Sequence, residues 1–143
     1  SHQERSDRWC NNCAKCRFVF LVLAPFMARA RLVGIFGHDL LGDEGQLDGY
    51  RELLGLAGHK PFECVGEITE CRVALRMLVD APSWSGAPVV TTLRAELGEW
   101  PAERDAAAVL VAEQPRFAPA AYAEALRAMQ AGADRQLAPA ELP

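Results

Sequence analysis

The chain has 143 residues, half of them apolar, and a formal charge of −4 at neutral pH. That length and composition suit one globular domain with a core of its own, and the acidic balance excludes a nucleic-acid module built on a clustered basic face. Five cysteines, an odd number with three of them grouped, speak against a disulfide framework and for a reducing, cytoplasmic setting.

In chain order the first feature is W-C-N-N-C-A-K-C, Trp9 to Cys16, which sets Cys10, Cys13 and Cys16 at a strict spacing of three. A turn of backbone can aim three such soft donors at one cation, so the motif reads as a metal knuckle. Zinc is the preferred ion. A ferredoxin-type cluster would continue past Cys16 with a fourth Cys and a Pro, where this chain has Phe20 and Leu21. Three free or buried thiols are the plainer alternative. Structural zinc takes four ligands, and the candidates for the fourth are His2, His38, His59, Cys64 and Cys71. A thiolate upstream of Ser1 is an equal candidate, since no initiator Met opens the chain. Arg5, Arg8, Lys15 and Arg17 make the knuckle mildly basic, which fits a solvated rim better than an anion site.

Lys15 to Ala24 lacks helix breakers and is apolar from Phe18 to Leu23, so it reads as a helix buried on most sides. The apolar run Phe18 to Ala28 is far shorter than the roughly 20 residues that span a bilayer. Pro25 should end or kink that helix. An amphipathic pattern resumes over Phe26 to Phe36, with Arg29 and Arg31 outward, and stops at Gly37. Asp43 is an N-cap for a helix through Leu54, closed by Gly55 and Gly58.

His59 to Gly66, punctuated by Pro61, reads as a loop, with a hint of strand near Phe62 to Val65. Glu67 to Val79 reads as a helix, Ala81 to Ala87 as a linker tacked to the core by Trp84, and Val89 to Leu97 and Ala102 to Glu113 as helices separated by Pro101. Pro119 to Ala131 is a helix with Pro in its first turn, and the last dozen residues read as a disordered tail. The fold class is therefore mainly α. The expected organisation is a cysteine knuckle and helical core over residues 1–80, a linker and C-terminal helices over 81–131, and a tail over 132–143.

Two stretches carry a family resemblance: C-N-N-C-A-K-C-R-F-V-F-L-V-L-A-P-F, Cys10 to Phe26, and G-L-A-G-H-K-P-F-E-C-V-G-E, Gly55 to Glu67. Together they resemble the C-terminal part of the UDP-N-acetylmuramoyl-L-alanyl-L-glutamate epimerases, the MurL type of bacterial cell-wall enzyme. The resemblance runs from about Trp9 to about Trp100. The knuckle alone is similar to that of other ATP-using enzymes such as the 7-cyano-7-deazaguanine synthases; the second stretch is the more specific.

The resemblance implies an ATP- and magnesium-dependent enzyme that inverts the terminal L-Glu of a UDP-muramoyl dipeptide to D-Glu, a step toward peptidoglycan, with a structural zinc in the knuckle. It also implies that the helical region is the C-terminal part of a larger ATP-pyrophosphatase-like α/β enzyme. The chain contains neither a G-x-x-x-x-G-K-[ST] loop nor an S-G-G-x-D-S type of pyrophosphate loop. ATP and magnesium would therefore bind a missing upstream part, and this fragment alone should be inactive.

His59, Lys60, Glu63, Cys64 and Glu67 bring five chemically capable groups into nine positions, and are the candidate catalytic residues. Lys60 can meet phosphate or carboxylate, and His59 or Cys64 can move a proton. The plainer account has Glu67 starting a helix, His59 capping the one before, and Cys64 buried as a small apolar residue. Cys64 and Cys71 are seven apart, about 10 Å along a helix, which disfavours a two-thiol racemase pair. The rival readings are another carboxylate-activating enzyme of the same ATP-using group and a zinc-knuckle module that binds a macromolecular partner.

Overall fold

A computed structural model describes residues 9–58, 65–98, 124–125, 127–129 and 131. The chain divides into two compact units, 1–106 and 107–143. In the second unit the described residues are helical and exposed. Among its described residues the first holds five packed α-helices: α1 (Ala14–Leu23), α2 (Arg29–Phe36), α3 (Leu47–Leu53), α4 (Ile68–Val79) and α5 (Pro88–Leu97). No strand occurs among the described residues, and no helix there is long and apolar enough to cross a membrane. The expected helices Ala102 to Glu113 and the tail lie outside the described residues, as does most of Pro119 to Ala131.

Several helix ends fall where the sequence satisfies, or removes, an otherwise orphaned backbone group. Asp43 accepts from the Gly45 N–H at 2.9 Å and opens a 3-10 turn, Glu44–Gln46, that leads into α3. Glu67 and Glu70 form a reciprocal capping box at the start of α4. Pro88 occupies the first position of α5, where its missing N–H costs nothing. Gly37, at φ 73°, closes α2 by donating to the Val33 carbonyl at 2.7 Å.

The expected helix from Phe26 to Phe36 is shortened at its front. Pro25 shapes a 3-10 turn over Ala24–Phe26, Met27 is extended, and α2 starts only at Arg29. Arg29 was expected to face solvent. It is instead half-buried, bonded through Nε and Nη2 to Asp39 Oδ2 at 3.0 and 2.7 Å and through Nη1 to the Ser83 carbonyl at 3.0 Å, with its guanidinium 5.0 Å from the Trp84 ring. The anionic turn at Asp39 and the aromatic face of Trp84 together draw the cation inward.

α1 is the central element and packs on α2, α3 and α4, while α5 packs on α3 and α4. Phe20, Leu21, Leu32, Tyr50, Leu75 and Leu93 are fully buried between them. Trp84 ties down the 81–87 segment, as the sequence suggested: it is buried and its Nε1 donates to the Ala24 carbonyl at 2.9 Å. Arg51 bridges α3 to α5 through Glu96, with N···O distances of 2.6 and 2.9 Å.

Tyr50 is an exception to this satisfied core. Its ring is wholly buried, its hydroxyl finds no partner among the described residues, and burial pushes the phenol pKa well above its usual value. A stranded buried hydroxyl costs about 1–3 kcal/mol, so Tyr50→Phe should raise stability by roughly 1 kcal/mol. Urea denaturation followed by circular dichroism checks this, and a loss of stability would refute it.

Candidate metal centre and the 59–67 segment

The chain turns sharply through the cysteine motif because Asn11 adopts the left-handed conformation, φ 58°, which Asn tolerates better than most residues. Two contacts fix the turn from outside: the Trp9 ring stacks on Phe36 at 4.3 Å, and Asn11 Nδ2 donates to the Phe36 carbonyl at 2.9 Å. Cys13 is then the N-cap of α1, its Sγ accepting from the Cys16 N–H at 3.4 Å. Cys16 is carried one turn into the helix and buried.

The result is convergence. All three Sγ atoms lie within 4.8 Å of one another, and Cys10 and Cys16 approach to 3.4 Å. Tetrahedral zinc with Zn–S bonds near 2.3 Å separates its sulfurs by about 3.8 Å, so the trio fits one soft cation with small side-chain adjustments. No further His, Cys, Asp or Glu donor joins the group among the described residues. Of the expected fourth ligands, His38 instead pairs with Asp43 at 2.8 Å and Cys71 is buried in α4. His2, His59 and Cys64 lie outside the described residues.

The thiols are electrostatically unequal. Cys10 is exposed and its pKa is lowered, chiefly because the Asn12 backbone N–H donates to its sulfur. Cys16 is pushed up to about 11, first by burial and then by its hydrogen bond with Cys10. A cation entering the site meets one thiol that gives up its proton more easily than usual and one that holds its proton more tightly.

A polar network braces the knuckle against α3, and sequence reasoning missed it. Arg17 was read as a rim charge. Its Nε donates to Gln46 Oε1 at 2.8 Å and its Nη2 to Asn12 Oδ1 at 3.2 Å; Gln46 in turn donates to Asp43 at 3.3 Å. His38 holds the Asp43 carboxyl below its usual pKa, and Gln46 is a buried polar residue. The Arg17 guanidinium lies so close to Gly49 that a β-carbon there would overlap it. Gly in the middle of α3 was the available signal, because a helix-interior glycine costs about 1 kcal/mol and calls for a reason. Gly49→Ala is accordingly expected to destabilise by roughly 1–3 kcal/mol in the native chain and to be neutral or stabilising beside Arg17→Ala. A double-mutant cycle of thermal melts measures that coupling.

Of the candidate catalytic residues, Glu67 is described: it is exposed and its carboxylate caps α4. His59, Lys60, Glu63 and Cys64 lie outside the described residues. The segment they occupy is framed by Gly55, at φ 69° against Ile68, and by Gly66, whose position leaves no room for a β-carbon beside Phe18 and Glu70.

Comparison with known proteins gives the chain its relatives. The family described as the MurL C-terminal domain matches residues 1–109. A protein of Salinispora tropica named UDP-N-acetyl-alpha-D-muramoyl-L-alanyl-L-glutamate epimerase is 55% identical over 122 residues, which are 85% of this chain and 27% of the relative. A Micromonospora protein of the same name is 52% identical over 126 residues, 87% of this chain and 28% of the relative. One from Xanthomonas oryzae pv. oryzae is 54% identical over 83 residues, 58% and 18% respectively. The chain thus spans about a quarter of the length of the first two relatives. No solved structure matches.

Proposed function

From the premise that this chain belongs to the MurL C-terminal domain family, we propose that it is the C-terminal part of an ATP-dependent epimerase. That enzyme inverts the terminal L-Glu of UDP-MurNAc-L-Ala-L-Glu to D-Glu on the way to peptidoglycan, in the cytoplasm. The observation that carries the reading is the 55% identity, over 85% of the chain, to a relative bearing that epimerase name.

The chemistry explains why a nucleotide would be required. Removing the α-proton beside a free carboxylate places a second negative charge next to the first. Transfer of an adenylyl group from magnesium-bound ATP to the carboxylate oxygen, with loss of pyrophosphate, turns it into an acyl adenylate and removes that obstacle. A positioned base then takes the α-proton, an acid returns one to the opposite face, and water releases AMP. We assign the nucleotide to the part of the enzyme that the relatives carry outside the matched region.

This chain's contribution has two parts. Zinc at Cys10, Cys13 and Cys16 would be structural, fixing the turn before α1 and, through Asn12 and Arg17, its register on α3. The segment with His59, Lys60, Glu63 and Cys64 leads into α4, whose start is fixed by Glu67 and Glu70. We propose that Lys60 meets a substrate anion and that His59 or Cys64 moves the proton.

The test is a fusion of the upstream three quarters of the Salinispora tropica relative to this chain, supplied with ATP, magnesium and UDP-MurNAc-L-Ala-L-Glu. D-Glu in the hydrolysed product, by chiral chromatography, together with AMP and pyrophosphate release, is expected from the fusion and absent from the 143-residue chain alone. A folded fusion that leaves the glutamate wholly L refutes the reading, and turnover by the isolated chain refutes its division of labour.

A further inference from the structure

Two of the three knuckle sulfurs are in contact. The Sγ atoms of Cys10 and Cys16 stand 3.4 Å apart, while Cys13 Sγ is engaged with the Cys16 N–H at the start of α1. A disulfide draws its sulfurs to about 2.05 Å, so closing the Cys10–Cys16 pair takes a shift of about 1.4 Å, within reach of side-chain rotation. The backbone is already bent for it. Asn11, at φ 58°, turns the chain between the two cysteines, and the Trp9 stack on Phe36 and the Asn11 bond to the Phe36 carbonyl hold that turn from outside.

The two thiols differ in access. Cys10 is exposed and Cys16, in contact with it, is buried. An oxidant arriving from solvent meets Cys10 first, and a second sulfur stands ready to complete the reaction. An accessible cysteine backed by a neighbouring one is the arrangement by which proteins take up peroxide reversibly.

We infer that Cys10 and Cys16 form a peroxide-oxidisable dithiol, Cys10 reacting first and Cys16 resolving it, and that the disulfide they close releases the ion held by the knuckle. In the first step the Cys10 thiolate attacks one oxygen of hydrogen peroxide; the O–O bond breaks, the other oxygen leaves as hydroxide, and Cys10 becomes a sulfenic acid. In the second the Cys16 sulfur attacks the Cys10 sulfur, the S–O bond breaks, and the departing hydroxide takes up the Cys16 proton, or one from solvent where a cation has displaced it. Two electrons pass from the sulfurs to the peroxide, which ends as two waters. Two of the three donors are then no longer thiolates, and Cys13 alone does not hold a tetrahedral cation. In a reducing compartment such a bond is transient and reversed by small thiols. The disulfide stands on the sulfur geometry; release of the ion rests on the metal reading above.

The test uses the 143-residue chain, purified reduced and given one equivalent of zinc. After hydrogen peroxide, unreduced peptides are mapped by mass spectrometry while a chromogenic chelator reads free zinc. A Cys10–Cys16 crosslink, reversed by dithiothreitol, and one zinc released per crosslink are expected. Cys16→Ser should lose the crosslink and leave Cys10 as a sulfenic acid trapped by dimedone. Cys13→Ser should keep the crosslink, and the map of the native chain decides between the pairings without any variant. A crosslink from Cys13 to either neighbour, or thiols that stay reduced, overturns the proposal. So does Cys10 driven to sulfonic acid beside a reduced Cys16. A Cys10–Cys16 crosslink formed while zinc stays bound overturns the release, and with it the metal assignment to these sulfurs, but not the dithiol. Epimerisation enters neither readout, so the fusion assay stands or fails by itself.

Discussion

Cys13→Ser is expected to abolish stoichiometric metal in the purified chain and to lower its melting temperature by more than about 10 °C. The substitution separates two roles of one sulfur. Serine is a good N-cap and can keep accepting from the Cys16 N–H, as Cys13 Sγ does at 3.4 Å, so the start of α1 need not fray. What serine cannot supply is a thiolate within 4.8 Å of Cys10 and Cys16. Structural zinc contributes about 10 kcal/mol or more where nothing else folds the peptide. This unit has its own core, so about a third of that is the expected share, and roughly 3 kcal/mol is a shift of this size for a domain of about 100 residues.

The same site fixes a pH dependence. Cys16 is raised to about 11 by burial, so it holds its proton at neutral pH until a cation displaces it. Affinity for zinc should therefore fall as pH is lowered, about tenfold per unit for each proton released, and calorimetry in buffers of different ionisation enthalpy counts those protons. Unchanged metal content and an unchanged melt on Cys13→Ser, or a zinc affinity flat between pH 8 and 6, would remove the ligand assignment.

Local signals made most of the helices legible. Asp43, the Glu67 and Glu70 pair, Pro88 and Gly37 each announce a terminus, because the hydrogen bonds they make or forgo span only a few residues. The convergence of Cys10, Cys13 and Cys16 was legible for the same reason: spacing within one turn decides it. Long-range pairing was not. Nothing local says that Arg29 reaches Ser83, 54 residues on, or that Arg17 reaches Gln46, 29 residues on. Both were read as solvated cations because charge alone predicts that, and both are turned inward by partners that only the folded chain brings near.

Trp84→Ala should bring this bundle close to unfolding. Trp84 is the largest of the fully buried side chains among the described residues and the join between the 81–87 segment and the α1–α2 corner. Truncating a buried aromatic costs about 3–5 kcal/mol through lost transfer energy and the cavity left behind. Two further losses follow from this particular site. The Ala24 carbonyl loses the indole N–H that donates to it at 2.9 Å. Arg29 loses the ring 5.0 Å from its guanidinium, and Phe20 an edge-to-face neighbour at 5.8 Å. Against a total stability of about 5–15 kcal/mol, the sum leaves little margin. Trp84→Phe separates the terms: it keeps most of the volume and gives up the hydrogen bond, so about 1 kcal/mol is expected from that bond alone. Urea titrations by far-ultraviolet circular dichroism compare the three proteins without interference from the other two tryptophans. If Trp84→Ala unfolds within about 1 kcal/mol of the native chain, the residue is not the anchor of this corner, and the packing of the 81–87 segment on α1 must rest on its backbone alone.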